Sequence, residues 1–335
     1  MLTNFYPISA KHLPVNRLGS LSQLMQAVKA LGWWQSKRYT TQPAATHYNH
    51  LGQWAQTFNQ ILAGHQGTII TDNSDIKIHQ SGELGQLRLY GEMGVLQGGE
   101  IDAYFYTENW REINHRQESM TGSLTCHDDS QHNAWQLSSQ RLNNKSAHPN
   151  LSLSLPAQYQ PTPRRTVPGL VETNELRQMW ASLTQVHQFY DMLSLFKLGL
   201  LDAIKLMQDQ WTHPISSCQL ISFLQQCQER NLKSKILTGN RGILHVLKPP
   251  ILQFEQKSEQ LSISGHNYSC QLNLPAIKQV WLVKRATKLG IVHSLEAFDC
   301  HDRLIMQVQE QRQSKQADTA LWIRCLERQS IIPKV

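Results

Sequence analysis

The chain has 335 residues, 40% of them hydrophobic, and 32 Lys+Arg against 25 Asp+Glu give a formal net charge of +7. The length predicts two halves, and the apolar content excludes an intrinsically disordered protein. No apolar run approaches the ~18 residues of a spanning helix. The first residues, Met-Leu-Thr-Asn-Phe-Tyr-Pro, lack a basic-then-apolar secretory pattern, so a cytoplasmic location without membrane insertion is expected. The basic residues are scattered rather than clustered, which argues against a nucleic-acid partner.

Taken in chain order, helix-like periodicity covers Leu21–Leu31, and Ile61-Leu62-x-Gly64-x-x-Gly67 then recurs as Ile236-Leu237-x-Gly239-x-x-Gly242. Both copies suit a strand, a tight turn and a second strand. Alternating runs follow each copy: Thr68–Ile78 and Leu87–Tyr90, against Leu261–Leu274, Val280–Val283 and Ile291–Phe298. A second helix is expected over Ser217–Arg230. The pattern predicts an α+β fold of two structural repeats, each a large antiparallel sheet with helices packed on it. The first repeat reads as degenerate, with a hairpin lost or shortened between His79 and Gln86. The expected divisions are 1–111 for the shortened first repeat, 112–172 for a Ser/Gln/Pro-rich linker with one short strand at Trp135–Leu137, and 173–329 for the second repeat.

Cys126, Cys218, Cys227, Cys270, Cys300 and Cys325 form no Cys-x-x-Cys pair, which argues against a zinc ribbon, a thioredoxin-like motif and covalent c-type haem attachment. Reduced thiols are expected. The fifteen histidines show no metal-binding spacing. One of them stands apart. The run from Leu176 to Leu193 reads as one helix whose stripe of Leu176, Met179, Trp180, Leu183, Val186, Tyr190 and Leu193 faces a core. His187 points with that stripe. An imidazole there either bonds to a buried acceptor or ligates something large and apolar, a description that haem fits.

With His187, the Gly239-Asn240-Arg241-Gly242 turn and the repeat together, the chain resembles the cytoplasmic hemin-degrading and haem-trafficking factors, the HemS/ChuS/HmuS group. The resemblance runs from about Met179 to Leu326. It rests on Met179-Trp180, Val186-His187-Gln188-Phe189-Tyr190, the glycine turn, Trp281, Thr287-Lys288-x-Gly290-x-Val292-x-Ser294-Leu295-Glu296-x-Phe298, and Gln307 with Gln311-Arg312. In the first half it is thinner, carried by Gly64-His65-Gln66-Gly67, Asp75-Ile76-Lys77-Ile78 and Tyr104-Phe105-Tyr106-Thr107-Glu108.

The resemblance implies a haem b cofactor held between two halves, with His187 as the axial iron ligand and Tyr190 beside it. Arg285 stands where the family has a propionate-binding lysine, and Gln307 and Arg312 fall at polar positions near the propionates. A guanidinium there suits a carboxylate. On the opposite haem face the family's arginine and phenylalanine correspond to Lys77 and His79. That substitution removes the fork that orders a ligand over iron, and His79 could make the site bis-histidine. Leu200 and Gln309 replace an expected basic residue and an expected tyrosine. Trp180 and Trp281 read as core aromatics, and the glycine turn as structural. The expected function is haem binding, carriage and storage after import, monomeric or dimeric, with an importer and an electron donor as partners. Reductant-dependent degradation would be the enzymatic extension. The competing readings are a non-haem interaction protein that kept the fold, then a basic nucleic-acid binder.

Overall fold

The computed structural model describes residues 45–335 except 73–74, 92, 118–120, 129–130, 144–150, 156–170, 185–187, 209, 249, 289, 312–315, 330 and 333–335. The helix expected over Leu21–Leu31 lies outside the described residues. In the first half, helix α1 (Ala45–Leu62) precedes β1 (Gln66–Asp72), β2 (Ile76–Glu83), β3 (Gln86–Tyr90), β4 (Met93–Gln97), β5 (Ala103–Tyr106), β6 (Trp110–Gln117), β7 (Gly122–Asp128), β8 (Asn133–Ser139) and β9 (Leu153–Ser154). Helices α2 (Thr173–Ala181), α3 (Gln188–Phe196) and α4 (Leu200–Leu206) follow, then β10 (Thr212–Ile215) and α5 (Ser217–Glu229). The second half continues with β11 (Ser234–Gly239), β12 (Ile243–Leu247), β13 (Gln253–Lys257), β14 (Gln260–Ser264), β15 (Tyr268–Asn273), β16 (Gln279–Thr287), β17 (Gly290–Phe298) and β18 (Leu304–Glu310), and ends in α6 (Gln316–Arg328).

Among the described residues these strands form two nine-stranded sheets. The first runs β13-β14-β15-β2-β1-β8-β7-β6-β9, the second β3-β4-β5-β12-β11-β18-β17-β16-β10, and the named pairings are antiparallel. Exchanging β1–β8 for β11–β18 turns one order into the other, so the two-repeat α+β architecture holds. Each half donates a three-stranded ribbon to the other's sheet. β5 pairs with β12 (Tyr104 opposite Leu244), and β15 pairs with β2 (Cys270 opposite Ile78).

Three expectations are corrected. The segment 112–172 is not simply a linker, because β6, β7 and β8 complete the first sheet through most of 110–139. Ile113, Leu124, Cys126, Trp135 and Leu137 are buried on one face, while Asn114, Thr125, His127 and Gln136 lie on the other, more polar face. A half-covered antiparallel sheet therefore reads as a polar segment. The hairpin expected to be lost or shortened between His79 and Gln86 is present as β3–β4, and it is the connection leading into it that is short. The chain passes from β2 to β3 through Leu84-Gly85 alone, and Gly85 lies so close to the Gln97 backbone that a Cβ would collide with it. The sequence repeat was also out of register: Ile61-Leu62 end helix α1, whereas Ile236-Leu237 sit inside β11.

The facing sides of the sheets enclose two cores. One joins Ile76 and Ile78 of β2 to Leu282, Leu295 and Val308, with Phe223 of α5 and Trp322 of α6 between. Helix α5 begins as its sequence dictates: Ser216 accepts from Gln219 N, and the Gln219 side chain returns to the Ser216 N–H as a capping box. The other core gathers Trp54 and Phe58 of α1 with Phe105, Trp110 and Trp135. Where the two sheets meet, His245 on β12 is fully buried between them. Its Nδ1 lies 3.0 Å from Gln80 Oε1 and its Nε2 2.7 Å from the Thr71 hydroxyl. Gln80 Oε1 can only accept, so Nδ1–H donates to it and Nε2 accepts from Thr71, a neutral tautomer with both nitrogens satisfied. All six cysteines are free thiols.

The Gly239–Gly242 turn is a docking joint between halves. Asn240 Oδ1 accepts from Gly242 N and Ile243 N, and Asn240 Nδ2 donates to Ala134 O at 2.7 Å. The Gly242 carbonyl accepts from Trp110 Nε1 and Tyr106 N. A Cβ on Gly242 would stand 2.5 Å from Ala134 Cβ. Gly242→Ala is therefore expected to lower the urea midpoint by about 1–3 kcal/mol equivalent through overpacking. Adding Ala134→Gly is expected to restore part of that loss, and a simple sum of the two single effects would contradict the contact.

Candidate functional site

The outer face of the second sheet is covered by α2, α3 and α4 and changes character along its strands. Pleating sends Val280 and Leu282 of β16 into the core between the sheets and Trp281, Val283 and Arg285 to the outer face. Cross-strand register then builds two rows. Trp281 faces Glu296, which faces Gln307, which faces Leu237. One step along, Val283 faces Ser294, which faces Gln309, which faces Lys235. Most of the face is apolar core with Trp180, Phe189, Leu237, Leu244 and Val246, but one end of β16, β17, β18 and β11 is polar.

Arg285 is the hub of that end, with only 2% of its side chain exposed against 0% for Glu296. Its Nη1 lies 2.7 Å from Glu296 Oε1 and donates to Ser294 Oγ at 2.7 Å. Ser294 Oγ donates to Glu296 Oε1 at 2.8 Å, and Gln307 Nε2 donates to the same oxygen at 3.2 Å. The guanidinium stacks over the Phe189 ring, 4.4 Å from its centroid. Arg285 and Gln307 are thus joined through Glu296, whose position in the Ser294-Leu295-Glu296 motif carries no sequence signal for this role. Glu296 Oε2 and Gln307 Oε1 are buried with no hydrogen-bond partner among the described residues.

The expected single helix over Leu176–Leu193 is broken into α2 and α3. Ser182 Oγ donates to Met179 O, and Gln188 Oε1 accepts from both Thr184 N and Thr184 Oγ1, local bonds that compete with the helical ladder. Lys288 N, just past β16, takes the Thr184 carbonyl at 2.8 Å. Trp180 Nε1 donates to Lys284 O at 2.8 Å and packs edge-on against Phe189 at 4.5 Å. His187 lies outside the described residues, as does Arg312, and so does the side chain of Tyr190. The residues that flank 185–187 are nevertheless clamped to the strand that carries Arg285.

Lys77 and His79 are not brought to this cluster, which corrects their assignment to its opposite side. Ile76, Ile78 and Gln80 of β2 point between the sheets, so Lys77 and His79 point outward from the first sheet, the far side of the molecule from Arg285. Lys77 pairs with Asp72 at 3.6 Å in an exposed position. Burial and the Lys77 charge lower the His79 pKa, partly offset by Asp72. The first half reaches the candidate site instead through its exchanged ribbon. Tyr104 and Tyr106 of β5 are buried in the outer core, and burial raises the Tyr104 pKa above the usual phenol value. Their alternation with Ala103 and Phe105 was visible in the sequence; the sheet they join was not.

Residues 197–328 match the haemin-degrading HemS.ChuX domain. Over 143 residues the chain is 26% identical to the hemin transport protein HmuS of Yersinia pestis and 24% identical to the hemin transport protein HemS of Yersinia enterocolitica. The matched segment spans 43% of this chain and 41% of each relative. The fold is similar to holo-PhuS, a heme-binding protein from Pseudomonas aeruginosa, with TM-score 0.71 and 19% identity over 80% of this chain and 84% of that one. It is also similar to ChuS, an E. coli heme oxygenase, with TM-score 0.69 and 18% identity over 97% of both chains. The resemblance read from the sequence to this haem-utilisation group is borne out, most directly in the second half. No helix among the described residues is long and apolar enough to cross a membrane.

Proposed function

From a chain whose second half carries the haemin-degrading HemS.ChuX domain, we propose a haem b carrier that receives its ligand from an importer and stores or passes it on. The observation that carries this reading is the clamp between the segment flanking His187 and the β16 strand that holds Arg285. The described residues on either side of 185–187 thus adjoin an aromatic core and a polar end, and in this reading His187 would face that combination, which an amphiphilic macrocycle requires. Bound there, haem would supply an iron for one imidazole and two carboxylates for polar groups.

The residues have separable roles in this reading. Apolar burial of the ring would supply most of the affinity, with Trp180 and Phe189 packed in the core beneath the site. His187 would set the ring's orientation, with Tyr190 one turn along. Gln307 and Arg312 would meet the carboxylates, and Arg285 would hold Glu296 neutralised beside them. Carriage is favoured over ring opening because the described part of the outer face offers tyrosines, Tyr104 and Tyr106, where an ordering cation would be needed.

The test is a hemin titration followed by absorption spectroscopy on wild type and His187→Ala. A saturable one-to-one Soret shift that His187→Ala abolishes or strongly alters is expected. Equal weak uptake by both proteins would overturn the site. Loss of the Soret band under ascorbate, persisting with catalase present, would overturn carriage in favour of degradation.

A further inference from the structure

At the polar end one half-buried cation has no carboxylate partner among the described residues. Arg285 is balanced by Glu296 at 2.7 Å, and Lys248 is balanced by Asp102 at 2.7 Å. Lys235 lies within electrostatic reach of Asp102 and Lys248 and forms no ion pair among the described residues. Pleating places it on the outer face, two residues from Leu237 of the outer core and opposite in direction to Ile236 of the inner one. It stands directly across from Gln309, which itself stands across from Ser294. With neighbouring strands ~4.8 Å apart, Lys235 is about 10 Å from Ser294 along that row.

We propose that Lys235, with Gln309 beside it, is the residue that recognises an anionic group of the ligand, a carboxylate in the haem reading on which this inference rests, and that Arg285 is a positioning residue. The chemistry follows from the environment. An ammonium that is half-buried has lost part of its hydration and regains it from an incoming anion. Burial is the main cause lowering the Lys235 pKa, assisted by Lys248 and opposed by Asp102. Asp102 is already held by Lys248, so the position is one where a new negative charge is favoured. Arg285, in contrast, cannot leave Glu296 without exposing a buried carboxylate to an apolar surround. Gln309 contributes an amide that can donate to the same carboxylate.

The experiment titrates hemin and hemin dimethyl ester, which lacks the carboxylate charges, into wild type, Lys235→Met and Lys235→Arg, and reads the Soret band. Wild type is expected to prefer hemin over the ester. Lys235→Met is expected to bind hemin about tenfold more weakly while its ester affinity stays the same, and Lys235→Arg to retain the preference. The urea midpoint of Lys235→Met is expected to equal or exceed that of wild type, since a desolvated charge is removed. An unchanged hemin preference in Lys235→Met, or equal weakening of both ligands, would overturn the assignment while leaving the haem reading intact. Absence of saturable hemin binding by wild type would overturn the haem reading itself.

Discussion

Glu296→Ala is expected to destabilise the protein by about 3–5 kcal/mol, read as a lower urea midpoint at constant slope. The carboxylate is fully buried and accepts from three neighbours through a single oxygen: Arg285 Nη1 at 2.7 Å, Ser294 Oγ at 2.8 Å and Gln307 Nε2 at 3.2 Å. Removing it leaves a guanidinium inside an apolar layer between Phe189 and the sheet, with its counter-charge gone. The cost is that of an uncompensated buried charge rather than the net value of the pair, and the two differ. The double variant Arg285→Met with Glu296→Leu is therefore expected to recover most of the loss. If the double variant is as unstable as the single one, the network is specifying the packing of β16 on β17, and the electrostatic account fails.

A second large effect should appear as acid lability centred on His245. Burial pushes its pKa down from 6.5 to about 3. The neutral ring is the form that its partners select, accepting from Thr71 and donating to Gln80. Above pH 6.5 neither the folded nor the unfolded state binds the proton, and the stability is fully present. Between pH 6.5 and about 3 the unfolded chain takes up a proton that the folded chain refuses, so stability falls as pH falls. The slope starts at half of about 1.4 kcal/mol per pH unit at pH 6.5 and approaches the full value below it, so about 2 kcal/mol is lost between pH 6.5 and 4.5. Urea unfolding across that window should show the slope in wild type and lose most of it in His245→Gln. Equal slopes would show that other groups govern acid unfolding. Asp299 titrates lower: burial raises its pKa, but hydrogen bonds from Arg303 and His301 outweigh this and hold it below the usual carboxylate value. Its contribution is present above the unfolded value of 3.8 and is lost as pH falls from there through the lower folded value, at and beyond the acid end of the histidine window.

Much of the fold was legible locally. The alternating runs at Thr68–Ile78, Leu261–Leu274 and Ile291–Phe298 are strands, Ser217–Glu229 is a capped helix, and the glycine turn is structural. The errors came from features that reach beyond a local window. The helix expected through Val186 stops at Ala181, and the backbone N–H of Lys288, in the turn after β16, takes the Thr184 carbonyl from a hundred positions away. The polar segment 112–139 reads as a linker because one covered face suffices to hold a strand, and its apolar residues are spread among Ser, Gln and His. Arg285 and Gln307 could be picked by resemblance, yet their shared dependence on Glu296 needed the register of β17 between them.

The amino-acid sequence by itself determined the period-two faces of the strands, the Gly-Asn-Arg-Gly joint, and the haem-utilisation motifs of the second half. Tertiary structure alone decided which strands became neighbours. A strand's pleat pattern is the same whether it pairs within its own half or in the other, so the exchange of β3–β5 and β13–β15 leaves no local trace. That exchange carried Tyr104 and Tyr106 to the candidate site, while the second half's own pairing of β11 with β18 set Lys235, which has no ion-pair partner among the described residues, across from Gln309.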